Sequence, residues 1–183
     1  MRVTPPRRRS TLRHTAGGLE LVIPAKRNVL SIFIIVFLTA WLGGWFIGEV
    51  SALHELFNLN GREPDYFLVF WLLGWTAGGV FALYAWLWIA VGREIVSLEP
   101  GSLTIKRAVL GVGLPREYDL AHIKNLRVSS EPANPFGWMS FWGMGGGLIA
   151  FDYGAKTVRF AASIDEAEAS QIVSELKTRY TFQ

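Results

Sequence analysis

The sequence predicts two structural units: a hairpin of two transmembrane helices, and an antiparallel β domain closed by a C-terminal helix. Three observations carry this. Two uncharged apolar runs, residues 28–48 and 66–92, lie in the first half of the chain. From residue 93 onward apolar positions alternate with period two between turn residues. Ser163-Ile164-Asp165-Glu166 then opens a stretch with helical spacing.

The composition agrees with a membrane protein. Of 183 residues, 51% are hydrophobic and only 18% charged. The first run, NVLSIFIIVFLTAWLGGWFIG, has 21 residues, and the second, YFLVFWLLGWTAGGVFALYAWLWIAVG, has 27. About 20 apolar residues cross a ~30 Å hydrocarbon core, and unpaired backbone groups in lipid require both segments to be helical. The expected boundaries are about 28–48 and 66–91, with residues 49–65 as the outside loop. A signal peptide does not fit, because the first run starts late, is too long for an h-region and has no A-x-A site after it. Nor does a twin-arginine signal, since some twenty residues separate Arg7-Arg8-Arg9 from the run.

Charge sets the expected orientation. Residues 1–28 carry seven Arg/Lys against one Glu, giving +6, and residues 49–65 carry one Arg against four acids, giving −3. Positive-inside counting puts both termini in the cytoplasm and residues 49–65 outside. Arg7, Arg8 and Arg9 anchor that topology and are expected to touch anionic headgroups. Residues 1–17, with Pro5-Pro6 and polar composition, are expected as a disordered basic tail. Gly44-x-x-x-Gly48 and Gly74-x-x-x-Gly78 permit close helix approach, either within the hairpin or between copies in a homo-oligomer. Neither run holds an ionisable residue, which disfavours an intrinsic transport path.

The β domain begins with Glu94–Leu98, the turn Glu99-Pro100-Gly101-Ser102 and Leu103–Arg107, a hairpin. Strands follow at 116–120, 123–128, 148–153 and 157–160. Asp119 is expected to cap a single helical turn that carries His122 on its surface. In FDYGAKTVRF, residues 151–160, Gly154 supplies a positive φ, so the acid, amine and guanidinium read as shoulders of a turn rather than a catalytic cluster. Ser163 and Glu166 form a capping box for helix 164–179, whose buried face is Ala169, Ile172, Val173, Leu176 and Tyr180. Upstream, residues 18–24 (GLELVIP) either supply a first strand to this domain or run as a linker.

The runs PAKRN (24–28), FLTAWLGGWFIGE (37–49), GREIVSLEPGSLTIKR (92–107), EYDLAHIKNLRV (117–128), FDYGAKTVRF and IDEAEA (164–169) resemble a family of bacterial membrane proteins related to bacterial pleckstrin-homology (PH) domain proteins. The resemblance covers roughly residues 18–180. It implies a PH-like antiparallel β barrel or sandwich over residues 93–180, closed by the C-terminal α-helix and tethered by the hairpin. It implies no catalytic residues and no cofactor.

Site chemistry in the sequence is sparse. There is no cysteine, and His14, His54 and His122 lie in separate segments without a metal-binding spacing. The glycines at 143 and 145–147 lead into a strand and no lysine follows, unlike a phosphate loop. Residues 92–183 carry ten charges of each sign, so nucleic acid is not an expected partner. The expected contact surfaces are the exposed sheet edges, which can accept another strand, and the aromatic segment PFGWMSFWGM: Trp138, Phe141 and Trp142 suit headgroup insertion or partner capture, or else close an open barrel end. The expected function is a non-catalytic, membrane-anchored scaffold that docks a protein partner. The alternatives are a sensor of anionic lipid or a small ligand, and an accessory subunit of a transporter or membrane enzyme.

Overall fold

The computed structural model describes residues 9–15, 17–58, 66–129, 142 and 146–180. The chain forms two compact units, residues 27–90 and the segments on either side of them.

Among the described residues the β unit contains eight strands. β1 (Thr11–Thr15), β2 (Gly18–Pro24), β3 (Arg93–Glu99), β4 (Ser102–Ala108) and β5 (Pro115–Asp119) form one antiparallel sheet in that order. β6 (Ile123–Val128), β7 (Ile149–Tyr153) and β8 (Lys156–Phe160) form the second. Residues 18–24 therefore are a strand. β2 pairs with β3 from Leu19↔Leu98 to Pro24↔Arg93, and the ladder continues through the Ala25 amide to the Gly92 carbonyl. Its alternation decides the register: Leu19, Leu21 and Ile23 are buried opposite Val96 and Leu98, while Glu20 and Val22 face away.

Two expectations are corrected here. Residues 11–15 are not a disordered tail but β1, which hydrogen-bonds along β2 from Thr11↔Val22 to Thr15↔Gly18. Polar TLRHT is accepted because the position is a sheet edge, where only Leu12 packs against the core. The barrel is also not closed: the two sheets do not join by backbone pairing among the described residues, so β5 and β8 are both edges.

The sheets enclose one core in which Phe151, Phe160, Leu103, Ile123, Leu126 and Ile149 are fully buried. Helix α3 (Glu166–Arg179) covers it with Ala169, Ile172, Val173 and Leu176. The cap lies two residues later than expected. Asp165, not Ser163, accepts from the Glu168 amide. The later start lets Glu168 bind both the amide and the hydroxyl of Ser10, residues 158 positions away.

The second unit is a helical hairpin, α1 (Val29–Phe57) and α2 (Tyr66–Val91), each long and apolar enough to cross a membrane. Asn28 and Ser31 form a capping box at the start of α1. This helix does not end near residue 48. It runs nine residues further because EVSALHELF contains neither Gly nor Pro. At 1.5 Å per residue α1 reaches about 43 Å, more than a bilayer core needs.

Candidate functional site

Edges β5 and β8 border a cleft of about 560 Å³ within the β unit. Arg107, Arg116, Lys156 and Arg159 line it together with Tyr118, Tyr153 and Thr157. Register explains the convergence. Arg116 and Tyr118 pair with Ile105 and Leu103, whose side chains are buried in the core, so they stand on the inner face of β5. Lys156 and Val158 pair with Tyr153 and Phe151, placing them on the inner face of β8. Tyr118 bridges the two sheets, meeting Phe151 and Tyr153 edge-on at 5.2 and 5.3 Å between ring centroids. Where apolar side chains would close a sandwich, cations line its corner instead. Among the described residues the lining includes no carboxylate.

Arg107 has an internal partner. Arg107 Nη2 lies 3.2 Å from Glu94 Oε1. Glu94 is buried, and its Oε2 accepts the Ala161 amide at 2.7 Å. Burial pushes its carboxyl above the usual range, against the pull of Arg107 and the Ala161 amide. The contact holds Ala161 at φ +64, a left-handed conformation at the exit from β8. Arg107 is thereby fixed at the rim. No ion pair is formed by Arg116 or Lys156 among the described residues.

Outside the cleft, on the β6–β7–β8 sheet, Asp152 collects four hydrogen bonds. Arg127 reaches it through both terminal nitrogens, at 2.9 and 3.1 Å. Asn125 and Thr157 add bonds of 3.1 and 2.8 Å. The Arg127 bonds, then those of Thr157 and Asn125, hold the carboxyl down at about 2. A register shift between Lys124 and Arg127 makes this possible: it places Asn125 at φ +52 and turns Leu126 into the core. Thus Asp152 of FDYGAKTVRF is a structural anion, and Lys156 and Arg159 of the same hairpin line the cleft. Gly154 does take the expected positive φ, +59. Asp119 caps the 3-10 turn Leu120–His122 through the Ala121 amide and pairs with the exposed His122 at 3.0 Å.

The helical unit closes on tryptophans. Of the four glycines singled out by spacing, only Gly48 touches the other helix, under the ring of Trp75, while Gly44, Gly74 and Gly78 face open space. The close approach is at Gly79, where a Cβ would lie 1.9 Å from the Trp45 ring. In that gap Trp45 Nε1 donates to the Trp75 carbonyl at 3.1 Å. Glu49 was expected in the outside loop but lies buried in α1, 2.7 Å from the Thr76 hydroxyl. Its sequence position, just past an uncharged run, gave no sign of this.

Trp138, Phe141, Arg7 and Arg8 lie outside the described residues; Trp142 is half-buried and Arg9 exposed. Lys156 and Arg159 belong to the hairpin that the sequence reads as a turn with charged shoulders; Arg107 and Arg116 were not singled out, because strands distant in sequence bring them to the same cleft. Comparison of the chain with protein-family models, with curated proteins and with solved structures returns no match.

Proposed function

We propose that this chain is a non-catalytic, membrane-anchored module of PH-like build that docks a protein partner at the cytoplasmic face of a bacterial inner membrane. The supporting observation is the cation-lined corner between edges β5 and β8. An edge strand offers a row of backbone donors and acceptors that an extended segment can pair with, and flanking arginines select acidic side chains. The occupant is then an extended acidic stretch of the partner, laid along β5 or β8 with carboxylates toward Arg116 and Lys156. Anchoring is supported by the length and apolarity of α1 and α2. The cytoplasmic side is supported by the basic residues before α1 and after α2.

The test uses the full chain in native membranes, cross-linked from a photoreactive group at Glu117 on β5. Wild type is expected to yield one stoichiometric adduct through an acidic segment. Arg116→Glu with Lys156→Glu should lose it by at least roughly tenfold, since two charge reversals replace attraction with repulsion. An adduct unchanged by the reversals refutes the reading. Sensing of anionic lipid is the second reading, favoured by a separate feature at the end of β4.

A further inference from the structure

The β4–β5 connection, AVLGVGLP, places its apolar side chains in water. Leu110 is 68% exposed, Val112 79% and Leu114 88%. No other large apolar side chain of the described β unit is so open. The exposure is built into the backbone. Val109 and Val112 exchange both amide-to-carbonyl bonds at 2.9 Å, enclosing a two-residue turn. Its residues, Leu110 and Gly111, have φ +53 and +84. Such a turn is the usual place for Asn-Gly or Asp-Gly, and a leucine at its first position is both strained and out of character. Gly113 fits only because it lacks a Cβ, which would lie 2.0 Å from the Arg107 carbonyl. The connection is thus a shaped tip with aliphatic side chains, and Lys106 and Arg116 stand at its two feet.

Register says which way the tip leaves the sheet. Pro24 pairs with Arg93, and Arg93 pairs with Ala108. β2 therefore ends, β3 begins and β4 ends at one end of the sheet. From that end the chain departs for α1 through residues 25–28 and returns from α2 through Gly92 alone. The tip extends β4 at this same end. Aliphatic side chains between flanking cations have the composition of a surface that enters the headgroup–acyl boundary of an anionic bilayer.

We propose that residues 109–114, flanked by Lys106 and Arg116, form a bilayer-docking tip that seats the β unit against an anionic membrane. This rests on the membrane-anchored reading, and one experiment separates the two. The sequence has no cysteine, so a single introduced cysteine carries a nitroxide label alone. The full chain is placed at one copy per nanodisc containing phosphatidylglycerol, with labels at Val112→Cys, at Phe37→Cys in α1 and at Ser170→Cys on exposed α3. Accessibility to a water-soluble nickel chelate is compared with accessibility to oxygen.

The Val112 label is expected to be at least roughly fivefold less accessible to nickel than the Ser170 label, as for a side chain several ångströms below the headgroups. Lys106→Glu with Arg116→Glu should return it to the Ser170 value. Equal nickel access at Val112 and Ser170, with Phe37 lipid-facing, overturns the tip and leaves anchoring intact. Nickel access at Phe37 overturns anchoring itself. Protection that survives the charge reversals overturns the anionic-surface proposal. So does protection found only with two copies per disc, which assigns the tip to a second copy.

Discussion

Asp152 and Leu110 show how single residues carry opposite costs in one unit. Asp152 is stabilised where it stands: folded, its carboxyl ionises at about 2, whereas an unfolded Asp titrates near ~3.9. A depressed folded value means that its stabilisation is complete above ~4 and fades as pH falls toward 2. Asp152→Asn is therefore expected to melt below wild type at neutral pH, with the gap closing between pH ~4 and ~2. A gap independent of pH across that window would show that packing, not charge, sets the difference. Leu110 is held in a conformation that costs an L-residue about 1–2 kcal/mol. Its side chain packs on little, so Leu110→Asn is expected to raise stability by about 1 kcal/mol in a thermal melt of the detergent-solubilised chain. The same change should weaken docking of the tip, a trade of stability against binding at one position.

Among the elements, those whose signals are local were readable from sequence. The β3–β4 hairpin announced itself through Pro100-Gly101, and the β7–β8 hairpin through Gly154. Both apolar helices followed from uncharged length. What failed depended on distant partners. Ser163-x-x-Glu166 and Asp165-x-x-Glu168 both satisfy the start pattern of a helix, and Ser10, binding Glu168, favours the second. β1 has too little alternation to be recognised, and β2 beside it makes it a strand. GxxxG spacing pointed to Gly74 and Gly78, yet the indole of Trp45 selects Gly79, and no spacing rule contains that preference. Gly79→Leu must displace the ring and the bond it donates. A loss of about 2–4 kcal/mol of hairpin stability is expected, from overpacking plus one hydrogen bond. Gly78→Leu meets open space and should change stability by less than about 0.5 kcal/mol. Thermal denaturation of both variants in the same detergent gives the comparison; equal losses would show that the Trp45–Gly79 contact is not what holds the helices.

At the scale of the whole molecule, the β unit is assembled from two stretches of chain that the hairpin separates. Its first sheet has β2 inside, between β1 and β3, so the N-terminal segment is not an appendage. Leu19, Leu21 and Ile23 are each at most 2% exposed. Burying three such side chains stabilises by roughly 5–9 kcal/mol, at about 1.5–3 each. A domain of this size has only about 5–15 kcal/mol in total. Residues 92–183 alone, although they hold six strands and α3, are thus expected not to fold. The register also supplies the remedy. Ala25 and Gly92 are hydrogen-bonded across the end of the β2–β3 ladder, where a two-residue Asn-Gly turn can join antiparallel strands. A chain of residues 9–25, Asn-Gly and residues 92–180 is expected to be a soluble, cooperatively melting β domain. Amide dispersion in a proton–nitrogen NMR spectrum distinguishes it from the shorter fragment. A well-dispersed spectrum from residues 92–183 alone would mean that β2 is dispensable. It would also mean that formation of the helical hairpin and folding of the β unit are independent events. If only the joined chain folds, the hairpin must bring β2 and β3 together before the core can form, and the helices are then part of how this domain folds.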